Sequence, residues 1–151
     1  MKEAISRENY EDFWVFSLDP NNRKKMDIIA KGAKIFATKL KVAFDREKEN
    51  QSDNETIQYV EYEAYPMDTF SVIVSFGIGN RHISLNLEDI KFLGIEFEAE
   101  QRIYVWSENG ERKVEHFPSE RKRYRLELSE VEKAFKEMYE RISRTLKLPN
   151  L

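Results

Sequence analysis

Between Ser129 and Leu148 five apolar residues, Val131, Phe135, Met138, Ile142 and Leu146, recur three or four positions apart. That spacing puts them on one side of a helix, and a helix with one apolar stripe needs a partner surface to bury it. Ser129 and Glu132 have the capping-box spacing and set the expected start of this helix. The residues just before it, Lys122 to Leu128, read as a strand. The chain therefore closes with a strand feeding an amphipathic helix, and the partner surface is sought in the strands upstream.

Those strands are plentiful. Thr56 to Tyr65 is rich in Ile, Val and Tyr and is stopped by Pro66. Phe70, Val72, Val74, Phe76 and Ile78 alternate with smaller residues, and Ile83, Leu85 and Leu87 follow after the turn signal Gly77-Ile78-Gly79-Asn80. Glu88 to Leu93 reads as one helical turn ended by Gly94. Ile95 and Phe97 alternate with Glu96, Glu98 and Glu100 as in an exposed or edge strand. Ile103 to Ser107 and Arg112 to Phe117 flank Asn109-Gly110, the strongest short hairpin signal, since both central residues of that turn need positive φ.

The first third is read as helical at its start. Ser6 can cap a helix carrying Tyr10, Phe13 and Trp14 on one face. Asp19-Pro20 starts a second helix, which Gly32 can end. Arg23, Lys24 and Lys25 fall in its first turns, where the helix dipole disfavours cations. From Lys34 to Arg46 two periods compete. Phe36, Thr38, Leu40, Val42 and Phe44 alternate as a strand would, whereas Phe36, Leu40 and Phe44 also fit a continued helix. Gly32 and the length of the alternation favour the strand.

The expectation is one α+β domain over residues 1–151: an N-terminal helical segment (1–32), a mostly antiparallel twisted sheet of about six to eight strands (34–128) and a C-terminal amphipathic helix (129–148) packed on one face. A sheet that large exceeds the cover of one helix, so the N-terminal helices pack there too, or a homodimer forms. Ile83 to Ile90 and Tyr124 to Val131 echo each other as strand-into-helix segments, which suggests two β-rich units, each closed by a helix.

The segment Lys122-Arg123-Tyr124-Arg125-Leu126-Glu127-Leu128-Ser129-Glu130-Val131, with the ribbon Ile103 to Lys113, resembles Whirly-type and Pur-type single-stranded nucleic-acid-binding proteins. These are built of units of four strands and a helix. The resemblance runs as a pattern from Lys34 to the C-terminus and implies single-stranded DNA or RNA as the partner. The N-terminal helices and the Glu96/Glu98/Glu100 row depart from it.

Composition narrows the chemistry. There is no cysteine, which removes disulfides, thiolate metal sites and cysteine nucleophiles and fits a reducing cytoplasm. No apolar run reaches the roughly twenty residues of a membrane span, so no membrane partner is expected. Net charge is −3, yet it is segregated: residues 23–44 carry seven cations against Asp27, residues 45–63 carry seven acids against Arg46 and Lys48, and residues 102–125 carry seven cations against four acids. His82 and His116 lie at no metal-ligand spacing, and no phosphate loop or nucleophile elbow is present.

The leading expectation is non-catalytic binding of single-stranded nucleic acid, with no cofactor. Tyr104 and Trp106 would stack bases, and Arg102, Lys113, Arg123 and Arg125 would hold phosphates. Strand alternation turns these rings away from Ile103 and Val105. One alternative is a small intracellular protein-binding domain of inhibitor, immunity or adaptor type, steered by its charge patches. Another is a metal-dependent nuclease: Glu111-Arg112-Lys113 has the acid-x-lysine form of such sites, and a further carboxylate, Asp89 or Glu98, would be needed to hold magnesium.

Overall fold

The computed structural model describes residues 2–5, 20–48, 58–65, 69–78, 81–107 and 117–151. The elements are β1 (Lys2–Ile5), α1 (Pro20–Lys48), β2 (Gln58–Tyr65), β3 (Thr69–Ile78), β4 (Arg81–Leu93), β5 (Glu96–Ser107), β6 (Glu120–Arg125) and α2 (Leu128–Ser143). The six strands form one sheet in chain order. β1 runs parallel to β2, and every later neighbour pairs antiparallel. This is the expected α+β fold. Both helices lie on one sheet face, α1 across β2 and β3 and α2 across β4 and β6, and they pack against each other. Among the described residues no helix is long and apolar enough to cross a membrane.

Alternation builds the covered face. Val72, Val74 and Phe76 of β3 pair with Leu87, Leu85 and Ile83 of β4, and Leu85 and Ile83 pair onward with Ile103 and Val105 of β5. All are buried. α2 presents Val131, Phe135, Met138 and Ile142 to them, as its stripe requires. Its cap differs from the expectation. The N-cap is Glu127, Ser129 lies inside the helix, and the Glu132 carboxylate accepts from Lys39 of α1 instead of closing a capping box. The helix ends at Ser143, and Leu146 packs against the core from the following turn.

The strand expected at Lys34 to Arg46 is helix. α1 runs unbroken through Gly32 for 29 residues, about 43 Å at 1.5 Å per residue. The deciding positions are those where the two periods disagree. Ala37 and Ala43 are buried while Val42 is 47% exposed, so Met26, Ile29, Ala33, Phe36, Ala37, Leu40 and Phe44 form a helical stripe. Gly32 is not a terminator. A Cβ there would lie 2.5 Å from the Cβ of Val131, so glycine is what lets α1 and α2 cross closely. Phe36 then stacks on Phe135, with ring centres 5.7 Å apart.

The helical turn expected at Glu88 to Leu93 is strand as well. β4 continues through it with a bulge between Glu88 and Lys91, where Asp89 takes φ +48°. The extra residue inverts the alternation. Leu87 faces the helices before it, and Ile90 and Phe92 pack toward the core after it. The Leu87–Ile90 spacing imitates a helix for that reason. The echo of the two strand-into-helix segments therefore fails, because Asp89 and Ile90 lie in a bulged strand and Glu130 and Val131 in a helix. β5 is not an edge, since β4 and β6 flank it. Gly77 and Ile78 belong to β3, not to a turn. The helix expected at 6–18, the Asn109-Gly110 turn and most of the strand at 112–117 lie outside the described residues.

Candidate nucleic-acid interface

No described helix covers the second sheet face. Its residues are the ones between the core positions. Register places Gly77, His82 and Trp106 in one row across β3, β4 and β5, Ser75, Ser84 and Tyr104 in the next, and Ile73, Asn86 and Arg102 in a third. The floor is small and polar. Ser75 Oγ donates to Ser84 Oγ at 3.3 Å, and Asn86 Nδ2 donates to Ser84 Oγ at 2.9 Å and to the Arg102 carbonyl at 3.2 Å. Trp106 and Tyr104 are half-buried and flank this floor. The indole of Trp106 stacks on the imidazole of His82, with ring centres 5.5 Å apart and planes 19° from parallel.

Arg102, Tyr104 and Trp106 thus share one face of β5. Arg123 and Arg125 are on that face too, opposite Glu98 and Glu96 at the far end of β5. From Arg102 to Glu98 is four residues, about 13 Å along the strand, so the five residues form two groups and not one cluster. Lys113 lies outside the described residues. The charged end is internally paired. Arg102 Nε lies 3.3 Å from Glu88 Oε2, and its Nη2 lies 3.1 Å from Glu100 Oε1. Tyr104 Oη donates to Glu88 at 3.3 Å. Hydrogen bonding with Tyr104, then with Glu100, together with the two carboxylate charges, pushes the Arg102 guanidinium further up. Burial raises the Glu100 carboxyl, but hydrogen bonds from Arg102 and Ser119 and the charges of Arg102 and Arg121 outweigh it and hold the group below the usual carboxylate range.

Asp89 and Glu98 do converge, but on a cation. Arg121 Nε lies 2.6 Å from Glu98 and Nη1 3.2 Å from Asp89, and Nη2 donates to the Asp89 carbonyl. Among the described residues no three metal-ligating side chains cluster. These pairs are largely solvated, so Arg121→Ala is expected to cost only about 1 kcal/mol, and less at high salt. Urea denaturation at low and at molar salt checks this; an equal cost at both salts would mean that the contact is not electrostatic.

On this face Lys91, Arg102, Arg121, Arg123 and Arg125 stand against Glu88, Asp89, Glu96, Glu98 and Glu100. Over β4, β5 and β6 five cations meet five carboxylates, so this part of the face has little net field. Arg123 and Arg125 are exposed and form no ion pair among the described residues. Sequence reading missed His82, Ser84, Asn86 and Glu88. Their signal was the same alternation, as polar residues between the core positions of β4. A pocket of about 430 Å³ lies elsewhere, between α2 and the last residues of the chain, lined among others by Lys136, Tyr139 and Arg144. Comparison of the chain with protein-family models, with curated proteins and with solved structures found no match.

Proposed function

We propose that the chain is a non-catalytic binding module for single-stranded nucleic acid, using the sheet face that no described helix covers. What supports this reading is the placement of Tyr104 and Trp106, half-buried side by side on a face no described helix covers, over a polar floor. Bases stack on such rings without sequence preference, each contact contributing about 1–3 kcal/mol. Arg102 borders the rings, and Arg123 and Arg125 extend the face. Because carboxylates balance these arginines, stacking and not phosphate attraction carries the affinity of this face.

The test is fluorescence anisotropy with labelled oligothymidylate. Trp106→Ala is expected to weaken binding roughly tenfold, about 1.4 kcal/mol, within the stacking range. No binding by the wild type at low salt, or equal binding by Trp106→Ala, overturns the reading. The balanced rows of β5 and β6 favour a second reading, a protein partner whose own surface carries both charges. Capture of one dominant protein that the oligonucleotide fails to displace would favour it.

A further inference from the structure

We propose that the outward face of α1 is a second nucleic-acid contact, one that holds phosphates while the sheet holds bases; its ligand class rests on the reading above. α1 carries nine cations against three carboxylates, Asp27, Asp45 and Glu47, and seven of the cations are exposed. The whole chain is at −3, so this excess is local. Lys39 is tied to Glu132 of α2, but Arg23, Lys24, Lys31 and Lys41 form no ion pair among the described residues. The first turn holds no acid, and Arg23 and Lys24 sit near the positive end of the helix dipole. They gain nothing from the fold there, which is the arrangement expected of groups kept for an external anion. At 100° per residue Lys24 and Lys31 lie opposite the buried Met26–Phe44 stripe, two turns or about 10.5 Å apart, and Lys41 flanks that line further along.

The contrast with the sheet decides where phosphates go. The sheet face is balanced over β4 to β6, whereas α1 presents an unbalanced positive row about 27 Å long from Arg23 to Lys41. Along that row only Ile35 and Val42 are exposed apolar residues. That is too little to sink into a bilayer, and it supplies no aromatic anchor of the kind a protein interface uses. A phosphate backbone needs neither. A strand long enough to pass round the domain would use both surfaces, a short one only the sheet.

The experiment uses the full chain and oligothymidylates of about six and about thirty nucleotides, spanning typical site sizes. The variant is Lys24→Gln, Lys31→Gln and Lys41→Gln together, with the matching Lys→Arg set as the charge-retaining control. Glutamine keeps helix propensity close to lysine. For the long strand the Gln set is expected to weaken low-salt binding at least tenfold. It should also flatten the slope of log affinity against log salt by about two, three cations at about 0.7 each on a single strand. The short strand should bind unchanged, and the Arg set should behave as wild type. Trp106→Ala should weaken both strands and leave the slope alone. An unchanged slope in the Gln set overturns the α1 assignment while a defect in Trp106→Ala keeps the sheet reading. The converse pair of results keeps α1 and removes the sheet. Tighter retention of the wild type by phosphatidylserine vesicles or by polyglutamate than by the long strand also overturns the proposal.

Discussion

Replacing Gly32 by alanine is expected to destabilise the protein by about 2 kcal/mol, although the same change in an open helix stabilises by about 1 kcal/mol. The reversal comes from the crossing of α1 and α2. An alanine Cβ would meet the Cβ of Val131 at 2.5 Å, its Cγ1 at 2.7 Å and the Leu128 carbonyl oxygen at 3.2 Å. Val131 is buried, and the carbonyl belongs to the first turn of α2, so neither can step aside without moving that helix. Trimming the partner should restore the fit. Val131→Ala alone leaves a cavity, but combined with Gly32→Ala it should cost at least 1 kcal/mol less than the two single changes together. Urea midpoints of the four proteins measure this coupling. A Gly32→Ala protein more stable than wild type would mean that the helices do not cross here. A cost without coupling to Val131 would instead fit Gly32 as a helix terminator followed by a strand.

That distinction is also where the sequence was hardest to read. In α2 the helical period has no rival, and in β3 and β5 the alternation has none, so these elements were legible. In α1 the residues 36–44 satisfy both periods, and a glycine four positions before them looks like a stop. Only the neighbour across the core, Val131, explains why a glycine sits in mid-helix, and no local pattern carries that information. The bulge at Asp89 is a similar case. One inserted residue shifts the buried side of β4 from odd to even positions and turns a strand into the likeness of a helical turn. For the candidate site, alternation was enough to turn Tyr104 and Trp106 away from Val105 and Ile103. Which acids sit beside the arginines depends on strand order and register. Glu88 is fourteen residues from Arg102 in sequence and 3.3 Å from it in space, and the rows of β5 and β6 face each other because those strands are neighbours.

Register also brings together a polar network on the helix side, centred on the buried Gln101, and its loss is expected to be the more damaging change. Gln101 is inaccessible between Ala99 and Ile103, where alternation alone would place an apolar residue. Its amide donates to Tyr124 Oη and, at 3.4 Å, to Glu137 Oε2, and its carbonyl accepts from Arg141 Nη1. Tyr124 Oη donates to Glu137 at 3.1 Å, and Lys122 Nζ lies 3.3 Å from the same oxygen. The network pins α2 to β5 and β6. Gln101→Ala leaves a cavity and unpaired polar groups and is expected to cost about 3 kcal/mol. Gln101→Leu restores volume without the bonds and should cost about 2 kcal/mol. Burial, followed by the charge of Glu137 and its hydrogen bond, pushes the Tyr124 phenol above its ordinary value of 10.0. The folded chain therefore holds that proton more tightly than the unfolded chain. The resulting stability is fully present below about pH 10 and falls as pH rises beyond it. Between about pH 9 and about pH 11 the urea midpoint of the wild type should drop, and that of Tyr124→Phe should drop less. Equal drops in the two proteins would show that Tyr124 is not held neutral by this network, and a Gln101→Ala protein as stable as wild type would show that the network does not hold α2 at all.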